Sequence, residues 1–160
     1  SKCDKLQKII MSNSVTSIGD GIFADCYNLT DVLLSEKIIH LPKEAFYKCK
    51  KLKNLNIPTA LTEIGASCFF ECRELTEAII PDSVHSIGAS AYQECDSITM
   101  VTIPGGVEEL GSETFMGCNN LRKIILMNML PYCKKRKSRP VMKGAEKRLC
   151  LTSGHSLLIG

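Results

Sequence analysis

The sequence predicts an α/β solenoid, one domain wound from 23-residue coils, each built of a short parallel strand, a second extended segment and a helical turn. Three observations carry the prediction. Cysteine recurs at Cys3, Cys26, Cys49, Cys72, Cys95 and Cys118, each 23 residues after the last. The apolar residues between those cysteines fall at fixed offsets. A mostly small residue followed by an aromatic closes five successive coils: Ile22-Phe23, Ala45-Phe46, Cys68-Phe69, Ala91-Tyr92 and Thr114-Phe115. A repeat of this length marks a quasi-one-dimensional architecture in which no unit buries its apolar face alone.

With the repeat cysteine as position 1, position 4 reads Leu6, Leu29, Leu52, Leu75, Ile98 and Leu121. Position 7 reads Ile9, Val32, Leu55, Ala78, Val101 and Ile124, and position 9 reads Met11, Leu34, Ile57, Ile80, Ile103 and Leu126. Two inward positions separated by one outward position give the period of a strand, so positions 5 to 9 are read as a strand in every coil. Pro58, Pro81 and Pro104 at position 10 end it by withholding a ladder donor.

The rows resume at position 13 (Val15, Ile38, Leu61, Val84, Val107, Leu130) and position 16 (Ile18, Leu41, Ile64, Ile87, Leu110). Gly19, Gly65, Gly88 and Gly111 follow at position 17, with Pro42 the exception. Glycine takes positive φ cheaply, which suits a corner there. The six or seven residues after it are read as one helical turn, too short to stand without packing.

These residues spell C-x2-L-x2-I-x-I-P-x2-V-x2-I-G-x2-A-F-x2-C. The pattern resembles the leucine-rich repeats of the BspA-like, or Treponema-type, class over five full coils, residues 3–117, and the strand of a sixth. The resemblance implies a right-handed leucine-rich-repeat solenoid. It also implies a cell-surface or secreted protein engaged in adhesion, without an active site. No catalytic residue and no cofactor are expected, and the protein is read as not an enzyme.

Composition agrees with one core. The chain has 160 residues, 44% of them hydrophobic and only 6% aromatic, which fits a thin interior filled by aliphatic rows. The apolar runs are too short for a membrane span. The chain opens inside the first coil with no signal-peptide pattern and no amino-terminal cap, so a stretch of a longer array is expected, with uncapped ends open to end-to-end self-association.

Nine cysteines invite a redox or metal reading. Six form one row and Cys68 stands beside Phe69, so they are read as thiols packed in the core; without C-x2-C pairs and companion histidines a zinc site is not supported. His40 and His85 are placed on the solvent side, each beside a carboxylate row and with no nucleophile sharing a cleft.

The outward position 8 row carries the functional expectation: Ile10, Leu33, Asn56, Ile79, Thr102 and Ile125. Four of these are large aliphatics facing away from the core, flanked at position 6 by Lys8, Asp31, Asn54, Glu77, Met100 and Lys123. An apolar stripe rimmed by charge is what a protein interface presents. Packing of strand residues along their own row is the competing reading.

Past residue 130 the pattern fails and the charge inverts. Residues 1–130 hold 12 basic and 16 acidic groups, net −4, whereas residues 131–160 hold 8 and 1, net +7. This segment is read as a divergent tail or irregular cap. Its run Lys134, Lys135, Arg136, Lys137, Ser138 and Arg139 is open to several readings: an import address, a nucleic-acid or anionic-membrane patch, or a solvated linker. The absence of interleaved aromatics argues against nucleic-acid stacking. Two functions follow: a module binding another protein through the strand face, or a scaffold or spacer localised by its basic tail.

Overall fold

The computed structural model describes Cys3, residues 5–127 and, as backbone, Ser156–Leu158. These wind into a parallel β-solenoid of about five turns. In chain order the strands are β1 (Lys8–Ile10), β2 (Asp31–Leu33), β3 (His40–Leu41), β4 (Asn54–Leu55), β5 (Glu63–Ile64), β6 (Ser86–Ile87), β7 (Met100–Ile103), β8 (Glu109–Leu110), β9 (Lys123–Leu126) and β10 (Ser156–Leu158). Two sheets, β1-β2-β4 and β7-β9-β10, lie on the first-strand side of the coils, and β3-β5-β6-β8 runs unbroken along the second. Parallel partners sit 23 residues apart, as in Lys8↔Asp31, His40↔Glu63 and Met100↔Lys123. The backbone of β10 pairs antiparallel with β9, Ser156 opposite Ile125.

The periodic rows become one interior. Leu29, Leu52, Ile38, Leu61, Ile64 and Ile98 are fully buried, and the position 1 cysteines from Cys26 to Cys118 line up within the same core. Phe23, Phe46, Phe69, Tyr92 and Phe115 form a continuous stack, with successive centroids 5.4, 5.4, 5.0 and 5.6 Å apart. Each stacked pair adds about 0.5–1.5 kcal/mol beyond its buried area.

No helix forms among the described residues, and the expected helical turn is a run of turns instead. The reason lies in where its amides point. Phe46 N–H donates to Cys68 O at 2.8 Å and Lys48 N–H to Phe70 O at 2.7 Å, both in the next coil, while the intervening Tyr47 and Cys49 bond back three residues within their own coil. Half of the amides therefore run along the solenoid axis. That alternation is bought with left-handed residues at positions 19 and 23: Glu44, Lys48, Ser67, Glu71, Ser90, Glu94, Glu113 and Asp25 all have φ between 51° and 60°.

The position 17 glycines also have a different cause from the one expected. Positive φ falls at Gly21 and Gly117, not in this row. A Cβ on Gly88 would lie 2.4 Å from Ala66 N, and one on Gly111 would lie 2.2 Å from Ala89 N. At Gly65, Gly88 and Gly111 glycine is there because the preceding coil's backbone passes too close for a side chain, whereas a Cβ on Gly19 would meet nothing within 4 Å.

The cysteine row does more than fill space. Besides being buried, Cys49, Cys72, Cys95 and Cys118 each donate Sγ–H to the carbonyl of the aromatic 26 residues earlier, at 3.1, 3.2, 3.1 and 3.0 Å. Burial pushes the thiols of Cys26 and Cys118 up to about 11 from an ordinary 9.0, and raises those of Cys49, Cys68, Cys72 and Cys95 as well.

A further departure concerns the fourth coil. Residues 76–80 were expected to form a strand like the others, but only an isolated bridge, Ala78↔Val101, ties them to coil 5.

Two predictions test this packing. Gly88→Ala is expected to lose about 2–3 kcal/mol in urea denaturation, because overpacking against backbone cannot relax. Ser90→Gly, which relieves a left-handed non-glycine residue, is expected to gain about 0.5–1 kcal/mol. The thiols give a second test. Their folded values lie above the unfolded ones, so the unfolded chain sheds protons first. Stability is then full below about pH 9 and falls above it, by up to about 1.4 kcal/mol per pH unit for each thiol. Urea midpoints between neutral and alkaline pH should show this fall, and Cys72→Ala should make it shallower. At neutral pH a thiol reagent should leave Cys26, Cys49, Cys68, Cys72, Cys95 and Cys118 unlabelled until the chain unfolds.

Candidate partner-binding face

Side-chain alternation on β1, β2, β4, β7 and β9 sends position 7 inward and position 8 outward. Ile10 is 66% exposed, Leu33 49% and Ile79 46%, with Thr102 also exposed, and Asn56 and Ile125 half-buried. Ile10 lies directly opposite Leu33, and Thr102 opposite Ile125. The rim row follows suit: Lys8, Asp31 and Asn54 are in register, as are Met100 and Lys123. Lys8, Asn54 and Glu77 are exposed, Asp31 and Lys123 half-buried, and Met100, 50% exposed, adds an apolar surface beside Ile79.

The rim is partly self-satisfied. Thr30 Oγ1 and Asn54 Nδ2 donate to the Asp31 carboxylate at 2.5 and 2.7 Å, and these bonds hold its pKa below the usual range. On the second ladder, His40 Nδ1 meets Glu63 at 3.1 Å on an exposed surface. His85 is exposed as well.

The stripe is not one continuous ladder. Between coils 3 and 4, no backbone hydrogen bond joins residues 53–57 to residues 76–80 among the described residues. Two departures from the row pattern sit at the break. Ala78 occupies the position 7 slot that Val32, Leu55 and Val101 fill elsewhere. Asn56 turns its carboxamide onto coil 2, accepting from Leu34 N–H at 2.5 Å and donating to Leu34 O at 3.2 Å, where a strand backbone would pair. A cavity of about 640 Å³ lies along this face from Lys8 and Ile10 to Leu55 and Ile79, with the buried rings of Phe69 and Tyr92 behind it, and a second of about 530 Å³ lies on the other flank of residues 76–80.

Sequence reasoning placed the outward row but missed this opening and the part played in it by Leu55, Ile57, Phe69 and Tyr92. Its signal was present as the small Ala78 and polar Asn56 in apolar rows. The basic residues Lys134, Lys135, Arg136, Lys137 and Arg139 lie outside the described residues. Among the described residues no cluster of three or more His, Cys, Asp or Glu side chains could hold a metal ion. No helix among them is long and apolar enough to cross a membrane.

Comparison with known proteins agrees with this architecture. No curated protein matches the chain. A leucine-rich repeat protein from Bacteroides ovatus superposes with a TM-score of 0.69 at 28% identity, over 76% of this chain and 33% of that one. The Treponema pallidum leucine-rich repeat protein gives 0.68 at 24% identity, over 78% of this chain and 70% of its own. A protein from Faecalibacterium prausnitzii described as a leucine rich cell surface protein gives 0.61 at 24%, over 76% and 39%. The chain thus spans about a third of the Bacteroides protein. The BspA type leucine rich repeat region matches residues 1–122 in 6 copies, and the chain belongs to that family.

Proposed function

We propose that this chain is a non-catalytic protein-interaction module that binds another protein through its strand face, as part of a cell-surface or secreted adhesin-like protein. The observation that carries the reading is the exposure of large aliphatics at outward strand positions, Ile10, Leu33 and Ile79, joined by Met100. Solvent-facing strand positions otherwise take polar residues, as the rim row does apart from Met100, and exposed apolar residues amid charge are the ordinary makeup of a contact surface. A surface location is supported by the Faecalibacterium neighbour, which is described as a cell surface protein. The proposed unit is the 23-residue coil, repeated in the same register from Lys8 to Leu126.

A second reading rests on the charge of residues 131–160, net +7 against −4 for the rest. In it the coils are an intracellular scaffold or oligomerisation spacer, and the basic tail, which includes Lys134, Lys135, Arg136, Lys137 and Arg139, gives localisation or binds an anionic partner. End-to-end self-association of the coils belongs to the same reading.

Leu33→Asp and Ile79→Asp are expected to leave the circular dichroism spectrum and urea midpoint within about 0.5 kcal/mol of the parent, as exposed sites do. Both should lower partner capture from host-cell extracts at least about tenfold, a loss typical of interface anchors. Retained capture in both variants, with loss on deletion of residues 131–160, would move the function to the tail.

A further inference from the structure

We propose that the outer edge of β9 is a self-association edge, covered in this chain by β10 and able to take β9 of a second copy in its place, antiparallel and related by a two-fold axis. The inference rests on the self-association of the second reading and gives it an edge, a geometry and a guard.

Where the first-strand ladder is continuous, one coil joins the next through the same backbone groups. The position 9 amide donates to the following coil, as Met11 N–H does to Leu33 O at 2.8 Å. The carbonyls of positions 5 and 7 accept from it, as Thr30 O and Val32 O do from the Asn54 and Asn56 amides at 3.0 and 3.4 Å. In β9 the equivalent groups are the Arg122 carbonyl, the Ile124 amide and carbonyl, and the Leu126 amide. The Lys123 and Met127 amides point the other way, onto Thr99 O and Ile103 O of coil 5.

A further coil would meet these groups with a parallel strand, as every other pair on this side does. The backbone of β10 meets them antiparallel, with Leu157 opposite Ile124, Ser156 opposite Ile125 and Leu158 opposite Lys123. An antiparallel strand departs from the 23-residue register, so it closes the ladder instead of extending it. It also establishes the direction in which this edge takes a partner.

The covered groups are self-complementary. Antiparallel pairing of β9 with its own copy, centred on Ile124, sets the Ile124 amide and carbonyl against those of the copy. It sets the Leu126 amide against the copy's Arg122 carbonyl, because 122 and 126 lie equally far from 124. All four groups are then paired, and Lys123 stands across from Ile125 of the copy, not from a like charge. Self-complementarity of this kind is what an isologous two-fold contact requires.

The edge also calls for cover. Lys123 is the only charged residue in β9; Ile124, Ile125 and Leu126 follow it, and then the exposed Met127. An uncovered apolar strand edge is a template for another chain. β10 covers it with three residues, whereas a second copy would offer the four of β9.

The test uses the full 160-residue chain. Leu157→Pro removes the amide that β10 presents to Ile124 and leaves the coils unaltered, which an unchanged circular dichroism spectrum checks. Sedimentation equilibrium should then place the monomer–dimer midpoint at least about tenfold lower in concentration than for the parent. The Ile124 and Leu126 amides should exchange freely in the dilute variant and slow by about tenfold or more as it dimerises. In a second variant, Ser156→Cys with Ile125→Cys, oxidised by diamide, fixes β10 on β9 and should hold the chain monomeric.

Three results would overturn the proposal. If Leu157→Pro stays monomeric while its Ile124 amide exchanges freely, the edge is open and unused, and the self-association of the second reading fails with it. If it associates with Ile124 and Leu126 still unprotected, or if the locked chain associates equally well, self-association stands but β9 is not its seat. If the Ile124 amide already exchanges freely in the dilute parent, β10 does not guard the edge.

Discussion

In coils 1 to 4 the amides at positions 19, 21 and 23 point along the solenoid axis and bond to the next coil, as Glu44, Phe46 and Lys48 do to Ala66, Cys68 and Phe70. This axial ladder sets the spacing on which the other features depend. With successive turns held this close, the aromatic rings must stack at 5.0 to 5.6 Å. The same spacing leaves no space for a Cβ on Gly65, Gly88 or Gly111. It also brings the thiols of Cys49, Cys72, Cys95 and Cys118 within reach of a carbonyl 26 residues earlier. Left-handed residues cost about 1–2 kcal/mol each where they are not glycine. The chain accepts that cost at eight non-glycine positions because they aim the amides at the neighbouring coil.

Two ladders, the turn segments and β3-β5-β6-β8, already fix the coils relative to one another. The first-strand side is then free to vary without loss of the fold. It is here that the row rules relax, with Ala78 inside, Asn56 bent back onto Leu34, and Ile10, Leu33 and Ile79 outside. An extended surface on one side of a rigid stack is what supports the proposed placement of binding there, as in other repeat proteins whose stacked units present one such surface. The polar groups of this face are bonded among themselves rather than gathered around a cleft, which suits contact more than chemistry.

The amino-acid sequence by itself determined the register and the interior. Cysteine every 23 residues and leucine three later can be satisfied together only by stacking, and Leu29, Leu52 and Ile98 are buried as that demands. It determined the outward row as well, since alternation decides which side of a strand a residue faces. Other features were decided by tertiary structure. A six-residue segment with an apolar pair reads alike as a helical turn or as a chain of turns; the neighbouring coil settles it by accepting half of the amides. A regular spacing of glycines reads alike as positive φ or as close approach, and only the adjacent backbone, 2.4 Å from where a Cβ would sit on Gly88, distinguishes them. The break in the ladder beside Leu55 lies between residues a whole coil apart, a relation that no local pattern carries.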